Sequence, residues 1–198
     1  MMYIIIGGLV VLNIIVLIFG IGIYNKLVKL QNRYENAFAQ IDVQLKRRHD
    51  LIPNLIETAK GYMDHEKETF QAVTEARNQA VQAEQKAAES PSDPQAMQQL
   101  SQAESMLSEA LGQFRVTVED YPELKANESM NKVMEELTTT ENKISFARQA
   151  FNDAVTKYNN KRETFPNNFL AGVFNFQEAE LFEVEIEEQK EAPEVSFE

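Results

Sequence analysis

The sequence predicts an all-α protein: an N-terminal transmembrane helix followed by an antiparallel up-and-down helical bundle. Three observations carry this. The first 23 residues contain no charged side chain. The rest is rich in Ala, Glu, Gln, Leu and Lys and poor in long β-branched runs, a composition that favours helix nearly throughout. Within it, apolar residues recur at three- and four-residue spacing, which gathers them on one stripe of a helix.

From Met1 to Ile23, Asn13 is the one strongly polar side chain, leaving a run long enough to cross a hydrocarbon core of about 30 Å. The run exceeds a signal-peptide h-region, no Lys or Arg precedes it and no A-x-A site follows it, so it reads as an uncleaved anchor. Lys26, Lys29 and Arg33 come directly after it. Basic residues so close to the membrane resist translocation, which places the bulk domain on the cytoplasmic side. Gly7, Gly8, Gly20 and Gly22 contain no pair at the four-residue spacing of the G-x-x-x-G dimer face. Homo-oligomerisation is left open.

After the anchor, Leu27, Leu30, Tyr34, Phe38, Ile41 and Leu45 form the stripe of a first helix that continues out of the membrane. Pro53 has no N–H for residue 49, so it either starts a new helix, with Asp50 as N-cap, or kinks a longer one. The first case yields four bundle helices and the second three. A further run carries Ile52, Leu55, Ile56, Ala59, Met63, Phe70, Val73, Ala76 and Ala80 and fades toward Ser90. At Ser90-Pro91-Ser92-Asp93-Pro94 the chain must break, with Asp93 as N-cap and Pro94 in the first helical position. The next helix, striped by Met97, Leu100, Ala103, Leu107, Leu111, Phe114 and Val118, ends before Pro122. Asn127 caps the last one, where Met130, Leu137, Ile144, Phe151 and Tyr158 recur every seven residues as a bundle or coiled-coil seam.

The chain therefore divides into an anchor at 1–23, a bundle at 24–164, an apolar segment at 165–182 and an acidic tail at 183–198. The apolar segment, with Phe165, Phe169, Phe174, Phe176 and Phe182, either caps the bundle or lies on the membrane surface, capping being favoured. Residues 178–198 hold nine glutamates against Lys190, which accounts for -8 of the net charge of -12. Like charges of low hydrophobicity predict a disordered tail kept away from anionic lipid.

Several function classes fall away. With no basic face to neutralise phosphates, nucleic acid is a poor partner. With no cysteine, there is no disulfide framework, thiolate metal site or cysteine nucleophile. His65-Glu66 begins like a zinc-protease motif, but Thr69 stands where the second histidine is needed. No metal, cofactor or catalytic residue is assigned, and no glycine-rich phosphate loop or G-x-S-x-G elbow occurs. The densest polar run is Lys46-Arg47-Arg48-His49-Asp50, followed by Leu51-Ile52-Pro53-Asn54. A basic cluster at a helix break beside apolar residues is a candidate partner-docking surface formed by Lys46, Arg47, Arg48, His49, Asp50, Pro53 and Asn54. Its structural alternative is that the cations satisfy the carbonyl end of the first helix.

That same stretch, Ile41 to Leu55, resembles the LemA family of bacterial membrane proteins. So do Tyr24-Asn25-Lys26-Leu27-Val28, Lys60-Gly61-Tyr62, Tyr121 to Asn127, Thr140 to Ile144, Phe151-Asn152 and Tyr158-Asn159. The resemblance spans nearly the whole chain after the anchor. It implies a membrane helix and a helical bundle, located in the inner membrane, and brings no established catalytic residues. The expected function is a membrane-anchored interaction or scaffold protein and not an enzyme. The alternatives are a metal or carboxylate enzyme built on the bundle and His65, or a lipid-binding protein at the membrane surface.

Overall fold

The computed structural model describes residues 1–184, and every described element is helical. They are α1 (Met2–Lys60), α2 (Lys67–Glu89), α3 (Pro94–Glu119), α4 (Pro122–Lys125), α5 (Glu128–Glu163) and α6 (Asn167–Val173). The tail from 185 onward, with its expected disorder, lies outside the described residues.

In α1 a single helix of 59 residues, about 90 Å at 1.5 Å per residue, runs from the apolar N-terminus into the bundle. Its first part is long and apolar enough to cross a membrane, and among the described residues its most apolar stretch is left exposed. From Tyr24 on it packs antiparallel to α5, where Tyr34 meets Tyr158 with ring centroids 5.2 Å apart and Phe38 meets Phe151 at 5.9 Å, both edge to face. α2 returns along α1, α3 rises beside α2, and α5 descends to the membrane end. The result is an up-and-down bundle.

Two of the expected N-caps, Asp93 and Asn127, are present. Asp93 accepts from the Gln95 N–H at 2.9 Å, and Asn127 accepts from the Met130 N–H at 3.1 Å. Such caps satisfy donors that have no intrahelical partner. All five seam residues of α5, from Met130 to Tyr158, are buried.

Pro53 does not end a helix, so Asp50 is not an N-cap and the first helix has no carbonyl end near Arg48 for cations to satisfy. The break lies at residues 61–66, inside the run from Ile52 to Ala80 that the sequence suggested was continuous. The bundle keeps four long helices even though Pro53 is interior. Met63, fully buried, anchors that connection, and it is tied to the α3–α5 link by Tyr121 Oη donating to Glu66 at 3.1 Å and Asn127 donating to Tyr62 Oη at 3.0 Å.

At the membrane end α6 turns back onto α1, where Ala171 and Leu170 pack with Ile23 and Leu27. The chain then runs extended up α5 as a strap, residues 176–184, held through its own main chain. Asn159 bonds both the N–H and the C=O of Ala179 at 3.0 and 2.8 Å, and Asn152 does the same to Phe182 at 2.9 and 3.2 Å. The match is metric: seven residues of helix and three of extended chain both advance about 10 Å. Phe182 enters the core and is fully buried.

Candidate functional site

The candidate residues 46–54 lie midway along the soluble part of α1, and the structure divides them by helical phase. Arg48 and His49 point inward and are 5% and 2% exposed. Lys46, Arg47, Asp50, Pro53 and Asn54 point outward. The continuous basic docking surface expected from the sequence is thus interrupted, because a helix turns by about 100° per residue and the five polar residues cannot share one face.

The inward pair meets Glu104 of α3, itself wholly buried. The Arg48 guanidinium forms an ion pair with its carboxylate, and His49 Nε2 lies 2.8 Å from Glu104 Oε1. A carboxylate accepts only, so Nε2 carries the hydrogen and donates it. Burial lowers the Arg48 pKa to about 10, with help from the Arg115 and Arg148 cations against the opposing pull of Glu141, so the guanidinium stays charged at neutral pH. His49 is lowered to about 3, by burial first and then by the Arg48 and Arg77 charges, with Asp42 opposing them, so its imidazole is neutral.

Pro53 explains a second connection. Its missing N–H leaves the His49 carbonyl without its helical donor. Arg77 of α2 supplies one, its Nε donating to the His49 carbonyl at 2.7 Å. The helix therefore passes through the proline without an orphaned carbonyl, and the freed acceptor becomes an α1–α2 contact.

A third connection involves Lys46, whose ammonium lies 2.7 Å from Asp42 and 3.4 Å from Glu84 of α2. Glu84 is buried, and its pKa is raised to about 7 by burial and then by the neighbouring Asp42 carboxylate, with Lys46 pulling the other way. Within four residues, α1 is thus bonded to α2 twice and to α3 through a two-donor lock.

The sequence reading missed Glu84, Glu104 and Arg77. A signal existed for the two acids: Glu104 falls four residues after Leu100 and seven before Leu111, and Glu84 falls four after Ala80 and three before Ala87. Both occupy the apolar stripe of their helix, where a carboxylate needs a buried cation or donor.

Outside this hub, Lys26, Lys29 and Arg33 are exposed on one side of α1 just beyond the apolar run. His65 is exposed in the 61–66 connection and not on a helix. Among the described residues no group of three or more Asp, Glu or His converges as a metal site would require. The outward residues keep a mixed character: Arg47 has a half-exposed partner in Glu136 of α5 at 3.6 Å, and Val43 one turn below is 58% exposed.

The model of the LemA family matches residues 37–197. The chain is 25% identical over 175 residues to two magnetosome proteins of Paramagnetospirillum magneticum, MamQ 1 and MamQ 2, covering 81% of this chain and 64% of each relative. It is also 25% identical over 175 residues to protein LemA of Metamycoplasma hominis, covering 84% of this chain and 74% of that one. The chain therefore spans less than two thirds of the length of the magnetosome relatives.

Proposed function

This chain belongs to the LemA family, a family of membrane-associated proteins not known as enzymes, and from that premise we propose that it is a membrane-tethered scaffold that docks a protein partner on the outer face of α1. The observation that carries this reading is the continuity of α1. One helix passes from the apolar run into the bundle, so a surface on it is held at a set height above the bilayer. Residue 47 stands about 40 Å beyond the end of the apolar run. Val43, Arg47, Asp50 and Asn54 recur at three- and four-residue spacing on the exposed side, flanked by Lys46 and Pro53. Such a face, an apolar residue among both signs of charge, suits a protein with a complementary amphipathic helix.

Lys26, Lys29 and Arg33 support a single-pass orientation in the inner membrane with the bundle in the cytoplasm. Arg48 and His49 act indirectly in this reading, by fixing α1 against α3.

The test separates surface from core. Arg47→Gln with Asp50→Asn, both exposed, should lower partner retention while the melting temperature hardly moves, since exposed charges contribute little to folding. Arg48→Gln should instead lower the melting temperature. Undiminished retention by the Arg47, Asp50 double variant would contradict this assignment.

A further inference from the structure

The segment after α5 carries an apolar surface that the bundle does not use. From Thr164 to Gln177 there is no charged residue. One side of α6 is consumed by packing: Ala171 and Asn167 are buried, and Leu170 approaches α1 so closely that a Cβ on Gly20 would meet its Cδ1 at 3.8 Å. The opposite side carries Phe169 and Val173, 71% and 62% exposed, with Phe165 in the turn before α6 at 87% and Phe174 at its end at 53%. Large aromatic rings left bare in a row mark a surface that meets something apolar.

The position of this row along α1 identifies what it meets. A hydrocarbon core of about 30 Å takes about 20 helical residues, so a span beginning near Met2 leaves the core near Ile21. α6 straddles that level. An apolar groove of about 320 Å3 between it and α1 is lined by Val16, Leu17, Gly20, Ile21, Tyr24, Leu170 and Phe174, half of it on the bilayer side of the boundary. Tyr24 lies edge to face with both Phe174, at 4.9 Å, and Phe176, at 5.6 Å, an aromatic cluster at the depth where such rings settle. Lys26 follows on α1 about 8 Å beyond Ile21, at headgroup height, with Lys29 and Arg33 further out on the same helix. The α6 face is therefore continuous with the apolar surface of the span.

We infer that α6 is an in-plane interfacial anchor. Phe165, Phe169, Val173 and Phe174 insert at the acyl–headgroup boundary of the same leaflet, and lipid acyl chains fill the α1–α6 groove. This second attachment fixes the rotation of the bundle about α1, so the outer face of α1 has one azimuth as well as one height. The inference rests on the reading of residues 1–23 as a span.

The chain contains no tryptophan, so single Phe→Trp substitutions report locally. The full-length protein is placed in phosphatidylethanolamine–phosphatidylglycerol vesicles with lipids brominated at shallow or deep acyl positions. Phe19→Trp reports the span, Phe169→Trp the α6 face, and Phe146→Trp, 74% exposed on α5, the aqueous reference. Phe169→Trp is expected to emit to the blue of Phe146→Trp, to lose the larger part of its emission to shallow bromine and less to deep bromine, and to resist iodide. Phe19→Trp should be quenched by bromine, and Phe146→Trp by iodide alone. If Phe19→Trp is quenched by bromine while Phe169→Trp behaves like Phe146→Trp, α6 lies in water and the inference is overturned with the span intact. If Phe169→Trp is shielded from bromine and iodide alike, a second copy of the chain covers the face and the inference again fails. If Phe19→Trp escapes bromine, the span reading falls and this inference with it.

Discussion

At the scale of single residues, Arg48 and His49 are the two polar side chains of the 46–54 run that the bundle buries. Removing one partner of a buried ion pair strands the other charge, so Glu104→Leu is expected to destabilise by about 3–5 kcal/mol. The double variant Arg48→Met, Glu104→Leu should recover most of that loss, and chemical denaturation checks both. The pH dependence has two opposed contributions. His49, lowered from 6.5 to about 3, stays neutral in the fold while the unfolded ring takes a proton, so stability is lost as pH falls from about 6.5. Glu84, raised from 4.5 to about 7, holds a proton that the unfolded chain has released, so its contribution is present below 4.5 and is lost as pH rises through about 7. The two slopes oppose each other between 4.5 and 6.5. The melting temperature is expected to be nearly level there and to fall below 4.5, whereas Glu84→Gln should decline steadily from about 6.5 downward. The basic run itself was legible in the sequence. Its division into buried and exposed halves was not, because the acids that bury Arg48 and His49 lie on other helices.

At the scale of elements, caps and stripes were the legible features, since Asp93, Asn127 and the seam of α5 declare themselves within a few residues. Pro53 left two readings open, because the group that lets α1 continue, Arg77, is 28 positions away in sequence from the carbonyl it satisfies. A double-mutant cycle tests that account. Arg77→Leu should cost about 1–3 kcal/mol with Pro53 present, by orphaning the His49 carbonyl, and clearly less in a Pro53→Ala background, where the helix supplies its own N–H. Equal costs in the two backgrounds would contradict it. The strap was legible as an apolar segment but not as an extended chain, because its bonds are to main-chain atoms and leave no side-chain pattern. Asn152→Leu with Asn159→Leu should abolish hydrogen-exchange protection at the Ala179 and Phe182 amides while leaving the α2–α3 amides protected.

At the scale of the whole molecule, a long apolar run continues as one rigid helix into a bundle that takes two of the conspicuous polar residues, Arg48 and His49, inside. The architecture was visible in the sequence because a charge-free run and a three-four apolar rhythm are strong, local signals. The outward half of the 46–54 run was not separable in the sequence, since which polar residues reach solvent depends on the packing of four helices. The central claim is that a partner meets the outer face of α1 at residues 43–54. Site-specific photo-crosslinking in intact membranes tests it directly, with a photoreactive residue placed singly at Arg47, Asp50 or Asn54 and, for comparison, at Val116 on the exposed side of α3. The account predicts one common adduct from the three α1 positions and none from Val116. The same adduct from all four positions, or adducts from Val116 alone, would contradict it.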